Sequence, residues 1–328
     1  VSRMVNTVTG PVSADNLGIT LAHEHLLFGY PGFQGDLTLG AFDHDAALKA
    51  NVDVINQLKA DYGLNTIIDA TPNECGRDVV FMREAAQATG INIVAATGYY
   101  YEGEGAPAYF KYRSGMTDII TEVYNMMKAE ITQGIMGTDI KAGVIKLASS
   151  KGVITDYEKA FFTAAARIAA ETNTVIITHT QEGTMGPEQA DFLISQGVNP
   201  KKIQIGHMEG NLDLDYQKKV LDKGVFISFD RIGLQVYAAC PMDSQRVETV
   251  LALIKAGYTD QILLAHDFIQ VWLGRATPDL PEEALAPIAN WNWSNIFTTF
   301  VPALKAGGAT DADINKLLVE NPRKLYGL

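Results

Sequence analysis

The residues able to do chemistry in this chain are few and clustered. Of six histidines, four lie beside short apolar runs: His23 and His25 in TLAHEHL, His179 in IITHT and His207 in IGHM. Lys146 stands in GVIKLA, otherwise free of charge, and Asp267 closes LLAHD. Imidazoles and a carboxylate suit zinc, cobalt, manganese or iron. With no cysteine among the ligand candidates, the set describes a site with open positions rather than a closed structural one. Metal-assisted hydrolysis is the chemistry such a set supports. A lysine in an apolar run also admits a second class, a Schiff-base enzyme with Lys146 as nucleophile on a carbonyl, although four histidines are unnecessary for that.

The elements that must carry these residues follow from periodicity. Short β-branched runs at 19–23, 65–70, 91–97, 143–148, 174–179, 203–207, 225–229 and 261–265 read as eight strands. Helical spacing fills 45–62, 79–89, 119–131, 157–171, 187–196, 216–223 and 243–256. Strictly alternating strands and helices imply a parallel sheet, and eight such units in 328 residues fit an α/β fold of the closed (β/α)8 TIM-barrel type. No linker or low-complexity tract divides the chain, so residues 1–328 are expected to form a single barrel domain, with a small N-terminal hairpin at about 5–16 plugging the barrel's lower end. In such a barrel all strand C-termini open on one face. The four histidines, Lys146 and Asp267 therefore converge at the face where barrel enzymes react.

Side-chain alternation refines this expectation. In 20–25 it puts His23 and His25 on one face with Leu21 and turns Glu24 away. In 174–179 His179 shares a face with Val175 and Ile177. Lys146 points inward if Ile145 and Leu147 face the helices. Asp267 and His266 have opposite parity, so His266 is expected to be a hydrogen-bonded structural residue, and His44, in FDHD, a surface or capping one.

Composition sets the outer bounds. With 47% hydrophobic and 20% charged residues the chain can bury a large core, which excludes disorder and small disulfide scaffolds. Against 38 acidic residues stand 26 basic ones, and a net charge of −12 disfavours nucleic acid and anionic membrane surfaces as partners. No apolar run is long enough to span a bilayer. Cys75 and Cys240 stand far apart without a CxxC and read as reduced core or loop thiols. A soluble, cytoplasmic protein is the expectation; processed export is the alternative, because the chain starts at Val1 rather than Met.

Taken together, TLAHEHL, GVIKLA, IITHT, IGHM, LLAHD and the closing ENPRKLYG resemble the phosphotriesterase family of the amidohydrolase superfamily over nearly the whole chain. The resemblance implies two divalent ions, zinc first and cobalt, manganese or iron as alternatives. His23, His25 and Asp267 would hold the more buried ion, His179 and His207 the more exposed one, and a carbamylated Lys146 would bridge them. A buried lysine has a lowered pKa, and only its neutral amine can attack carbon dioxide. A hydroxide bridging the ions would then attack the substrate, with Asp267 taking its proton. The resemblance also implies a homodimer.

Substrate class must be read from the loops. Tyr100, in ATGYYY, stands where the lactonase branch of the family places a tyrosine over the metals, and Asp230-Arg231 in SFDRIGL resembles that branch's DRYG, with Ile232 replacing the tyrosine. Asp267, Tyr100 and Arg231 are therefore the catalytic candidates, and Tyr99, Tyr100, Arg231 and Trp272 the substrate-binding ones. The proton relay of phosphotriesterases proper needs a histidine after strand 7 and an acid at the position of Gly210; only Glu209 and Asp213 lie near. That departure points to a neutral lactone or ester, acyl-homoserine lactones included, with phosphotriester turnover as a side activity; a dedicated organophosphate triesterase or a carboxylic esterase is the alternative. A third class, a barrel that keeps its metal without catalysis, sits poorly with an intact ligand set. Residues 268–295, which hold all three tryptophans, Trp272, Trp291 and Trp293, are expected to form a long lid loop.

Overall fold

The computed structural model describes residues 3–38 and 40–328. Strands β1 (Met4–Thr7) and β2 (Gly10–Ser13) pair antiparallel as a hairpin. The barrel strands follow: β3 (Ile19–Phe28), β4 (Leu64–Asp69), β5 (Asn92–Val94) with β6 (Ala96–Gly98), β7 (Val144–Ser149), β8 (Val175–Thr180), β9 (Ile203–Ile205), β10 (Phe226–Phe229) and β11 (Ile262–Leu264). Neighbours pair in parallel throughout this set, in two hydrogen-bonded groups of order β3 through β5 and β6 through β11. Ala95 alone separates β5 from β6. At the other seam, between β11 and β3, the backbone N–H of Asp267 donates to His23 O at 3.0 Å, and that of His25 to Phe268 O at 3.1 Å. The result is the expected TIM barrel.

Helices α1 (His44–Tyr62), α2 (Val79–Thr89), α3 (Ala108–Ser114), α4 (Ile119–Thr132), α5 (Asp156–Thr172), α6 (Gly186–Ser195), α7 (Leu214–Leu221) and α8 (Asp243–Lys255) occupy the crossovers. Their starts are set locally, because Asp43, Asp78, Asp118 and Thr155 each accept a backbone N–H of the first turn, satisfying donors that have no partner inside the helix. Among the described residues no helix is long and apolar enough to cross a membrane.

Two apolar layers result. Ile145, Leu147, Ile176 and Ile205 face the helices, whereas Val144, Val175, Ile177, Ala96 and Ala265 fill the barrel interior. Val5, Ala14 and Leu17 of the hairpin region join that interior cluster with Leu325 and Tyr326 from the last helix, closing the lower end. One parity expectation fails here: Leu21 packs on the helix side while Ala22 faces the interior, although His23 still points inward. The β3–β4 register slips between Leu21 and Glu24, and such an irregularity shifts the alternation by one residue.

The segment 268–295 is not a plain loop. It begins as a further strand, β12 (Ile269–Trp272), paired in parallel with the extended end of β3, with Ile269 opposite His25 and Trp272 opposite Phe28. A short helix, α9 (Glu282–Leu285), follows.

Candidate metal centre and active-site cavity

All six donor candidates reach one spot at the C-terminal end of the barrel. Asp267 Oδ1 lies 2.8 Å from His25 Nε2 and 3.3 Å from His23 Nε2, and its Oδ2 lies 3.8 Å from His207 Nε2. Lys146 Nζ is 3.1 Å from His23 Nε2. The rings of His179 and His207 stand edge to face, centroids 4.7 Å apart. The ligand atoms of His23, His207 and Asp267 lie within 4.8 Å of one another, close enough to share an ion.

The tautomers show what the centre is built to hold. Thr71 Oγ1 donates to Leu27 O at 3.2 Å, so at 2.7 Å from His25 Nδ1 it must accept. His25 Nε2 then carries a lone pair, aimed at a carboxylate oxygen 2.8 Å away. His207 repeats the device: its Nδ1 meets Asp230 Oδ1 at 2.6 Å, leaving Nε2 bare. His179 Nε2 meets Gln181 Oε1 at 2.7 Å, leaving Nδ1 toward Tyr100 Oη at 3.5 Å. Lone pairs that converge on a carboxylate repel unless a cation lies between them, and holding one ring nitrogen to free the other is how ligating histidines are oriented. The residues present therefore fit a metal.

Electrostatics agree. Burial, with Lys146 nearby, lowers His23 to about 3. Burial also holds His179 and His207 well below the usual range, with His207 and Arg231 respectively adding to the effect, so all three are neutral at pH 7. Burial would raise Asp267, but its close contacts with His23, His207 and His25 outweigh it and hold the carboxylate well below the usual range. Burial lowers Lys146 to about 8.

A cavity of about 450 Å³ opens above the donors. One wall is aromatic: Phe28, Tyr30, Tyr100 and Trp272, with Tyr30 stacked on Trp272 at 6.1 Å and both edge to face with Phe28. The facing wall is built by Leu234, Tyr237, Leu280, Ala284, Ile288 and Trp291. Arg231 lines the floor with Nε 3.0 Å from Asp267 Oδ2. Lys146 and Arg231 are the only lysine and arginine among the described residues lining this cavity, and both are engaged with the donor cluster.

Tyr99 does not line this cavity. At Gly98, with φ +145°, a Cβ would lie 1.9 Å from Lys146 O, so only glycine passes β7 there. Beyond it alternation sends Tyr100 inward and Tyr99 outward, against Phe110 at 4.8 Å and Phe161 at 5.4 Å. Ile232 is buried on the helix side and shapes no cavity wall. Glu209 lies behind the site, accepting Asp230 N at 3.2 Å, and Asp213 caps α7, so neither stands in for the relay acid. His266 is held by Glu24 Oε2 at 2.8 Å and accepts Ile296 N at 3.1 Å, the expected structural role. His44 opens α1 at the surface, 2.8 Å from Glu84.

A family profile described as phosphotriesterase family matches residues 3–326. This chain belongs to the phosphotriesterase family. Among its relatives, an aryldialkylphosphatase of Saccharolobus solfataricus is 38% identical over 96% of each chain. A phospho-furanose lactonase of Mycoplasmopsis synoviae is 31% identical over 99% of this chain and 92% of its own. The organophosphorus hydrolase of Deinococcus radiodurans superposes with a TM-score of 0.97 at 50% identity, covering 100% of this chain and 99% of that one. All three are named as hydrolases.

Several supporting residues in this phosphotriesterase-family site escape a reading by strand ends and histidines. Asp230 is noticed only as half of a motif, yet it accepts both N–H and Nδ1 of His207. Thr71 and Gln181 are small polar residues just beyond strand ends, with no charge to mark them. Glu74, which burial pushes up to about 7, accepts the backbone N–H of Tyr100 at 2.9 Å and so anchors the loop carrying that tyrosine. Tyr101 stacks on His179, centroids 5.1 Å apart.

Proposed function

We propose that this phosphotriesterase-family hydrolase opens neutral lactones bearing apolar side chains, acyl-homoserine lactones among them, and turns over phosphotriesters as a side activity. The observation that carries this reading is the cavity: an apolar sleeve over a donor cluster, with no lysine or arginine among its described lining residues left free to meet a charged substrate group. A phosphorylated sugar lactone, the substrate class in one relative's name, would find no side-chain counter-ion along the apolar walls for its phosphate, and burying an unpaired anion costs several kcal/mol. The names of the Saccharolobus and Deinococcus relatives favour a second reading, a dedicated organophosphate triesterase, on the same site.

In this proposal His23, His25 and Asp267 would hold one divalent ion and His179 and His207 another, zinc by preference, with a carbamylated Lys146 as their shared ligand. When bound, the ions supply Lewis acidity and make water nucleophilic at neutral pH. The chain's own residues do the rest. Asp267 accepts the proton of the attacking water, and Arg231 keeps that carboxylate ionised and oriented. Tyr100, its hydroxyl beside His179, confines the ring and donates a hydrogen bond to the oxygen on which charge develops. Trp272, 42% exposed, offers its face to the substrate's apolar arm. Trp291 ties the lid down through Nε1 to His266 O at 2.7 Å, whereas Trp293, fully buried, docks the lid to the core.

We take the chain as one barrel domain that acts as a soluble homodimer. A groove between Leu37, Phe42, Val80 and Met136, all exposed, supports that pairing.

The deciding test is a kinetic panel on one preparation. Alkyl γ- and δ-lactones are expected to give higher kcat/KM than paraoxon, with about two metal ions per chain by elemental analysis. Activity should vanish on chelation and return with added metal. Paraoxon turning over far faster than every lactone would hand the assignment to the triesterase. Asp230→Asn, which disturbs the orientation of His207 with little change in volume, is expected to weaken metal affinity about 10–100-fold in a competition titration; unchanged affinity would remove Asp230 from the centre.

A further inference from the structure

Two loops build the facing wall of the cavity, 230–242 after β10 and 268–295 after β11, and they are stitched together. Tyr237 Oη donates to Ala284 O at 2.7 Å, and Gln235 Nε2 to Pro287 O at 3.1 Å. Gly233, with φ +93°, lets the two backbones touch: a Cβ there would lie 2.6 Å from Asn290 O. Between these ties the first loop is strained. Val236 has φ +71° and ψ −50°, with Tyr237 N donating to Gln235 O at 2.8 Å across it. This is the γ-turn of positive φ, rare for any residue and worse for a β-branched one. Ala238 and Ala239 follow at φ +55° and +57°. A strained segment persists only where its surroundings over-determine it. Here the surroundings are the side-chain ties to the neighbouring loop and the grip of Gln235 Oε1 on Asp243 N at 2.8 Å.

We infer that Tyr237 is a specificity-determining residue, whose hydroxyl latches the two loops and sets how well the outer cavity holds a substrate's long apolar arm. The inference rests on the lactone reading above for its substrate. Tyr237 and Ala284 both line the cavity, and Tyr237 is exposed where the histidine donors and Lys146 are buried, so the latch shapes the outer sleeve. Releasing it lets the strained loop relax and opens that sleeve. A lactone with a one-carbon substituent reaches little of it, whereas one with a seven-carbon substituent depends on it.

The test is Tyr237→Phe, which keeps the ring and removes the donor. The ratio of kcat/KM for the seven-carbon over the one-carbon γ-lactone is expected to fall about fivefold, through KM rather than kcat, the loss of one neutral hydrogen bond. Hydrogen exchange in residues 280–290 is expected to quicken in the same variant. Gln235→Ala, which cuts the second tie without touching the ring, should act in the same direction. A ratio that does not move while lactones are turned over would overturn the inference. Were the wild-type protein to open no lactone, the substrate reading would fall on its own. Exchange would then still decide the latch: faster in Tyr237→Phe upholds it, unchanged overturns it.

Discussion

Asp267→Asn is expected to lower kcat on the best lactone by about 10²–10⁴-fold, the range for removing a positioned general base. The carboxylate does two things at once. Oδ1 faces His23 and His25 while Oδ2 faces His207 and Arg231, so one side chain joins both proposed ligand sets. Asparagine keeps the shape but removes the charge, and it leaves the Arg231 guanidinium beside a neutral amide. A buried charge stripped of its partner is costly. Metal content measured with the kinetics separates the two roles: full metal with low kcat isolates proton transfer, and lost metal isolates ligation. Activity within tenfold of the unsubstituted enzyme would take Asp267 out of the reaction.

Lys146→Met is expected to trade activity for stability. As a proposed bridging ligand its loss should exceed the 10–100-fold typical of residues that merely orient ligands, so kcat/KM should fall by more than about 100-fold. The metal-free fold should meanwhile gain. Holding a lysine whose ordinary value is 10.5 down to about 8 costs the folded, metal-free chain about 3 kcal/mol at pH 7. The sign is that of a base whose folded value is depressed: the penalty is fully present below pH 8 and shrinks as pH rises toward 10.5. Methionine fills similar volume without a charge. Urea unfolding of the two metal-free proteins should show the variant more stable at pH 7 and the gap narrowed at pH 10. Equal stability at pH 7 would mean that the amine is not the buried cost it is taken to be.

Much of this was legible in the linear chain because barrel strands are short and their ends coincide with the reactive residues. The runs around His179 and Lys146 alternate cleanly, so inward and outward faces could be assigned. Around His23 the same rule misplaced Leu21, because a register slip cannot be read from one strand alone. Strand β12 was hidden for a related reason: Ile269 and Val271 lie within a segment of lid composition, and only pairing with the end of β3 makes them a strand. Tyr99 and Tyr100 are chemically identical neighbours, and what separates them is the backbone turn at Gly98. The orienting partners Thr71 and Gln181 carry no periodic signal, since their role depends on a hydrogen bond to a histidine on another strand or two residues back.

The seam between β11 and β3 has a bearing on how the protein is made. One of the two bonds that close the barrel runs from the N–H of Asp267 to the carbonyl of His23, joining residues 244 positions apart in the chain. At about 5–20 residues per second on the ribosome, His23 waits roughly 10–50 s for its partner to be synthesised. During that time Lys146 and the first histidines lack the carboxylate that completes the centre. Capture of the proposed metal ions would therefore be a late event in the life of the nascent chain, and a chaperone that shields the open barrel would also be guarding an unfinished donor cluster.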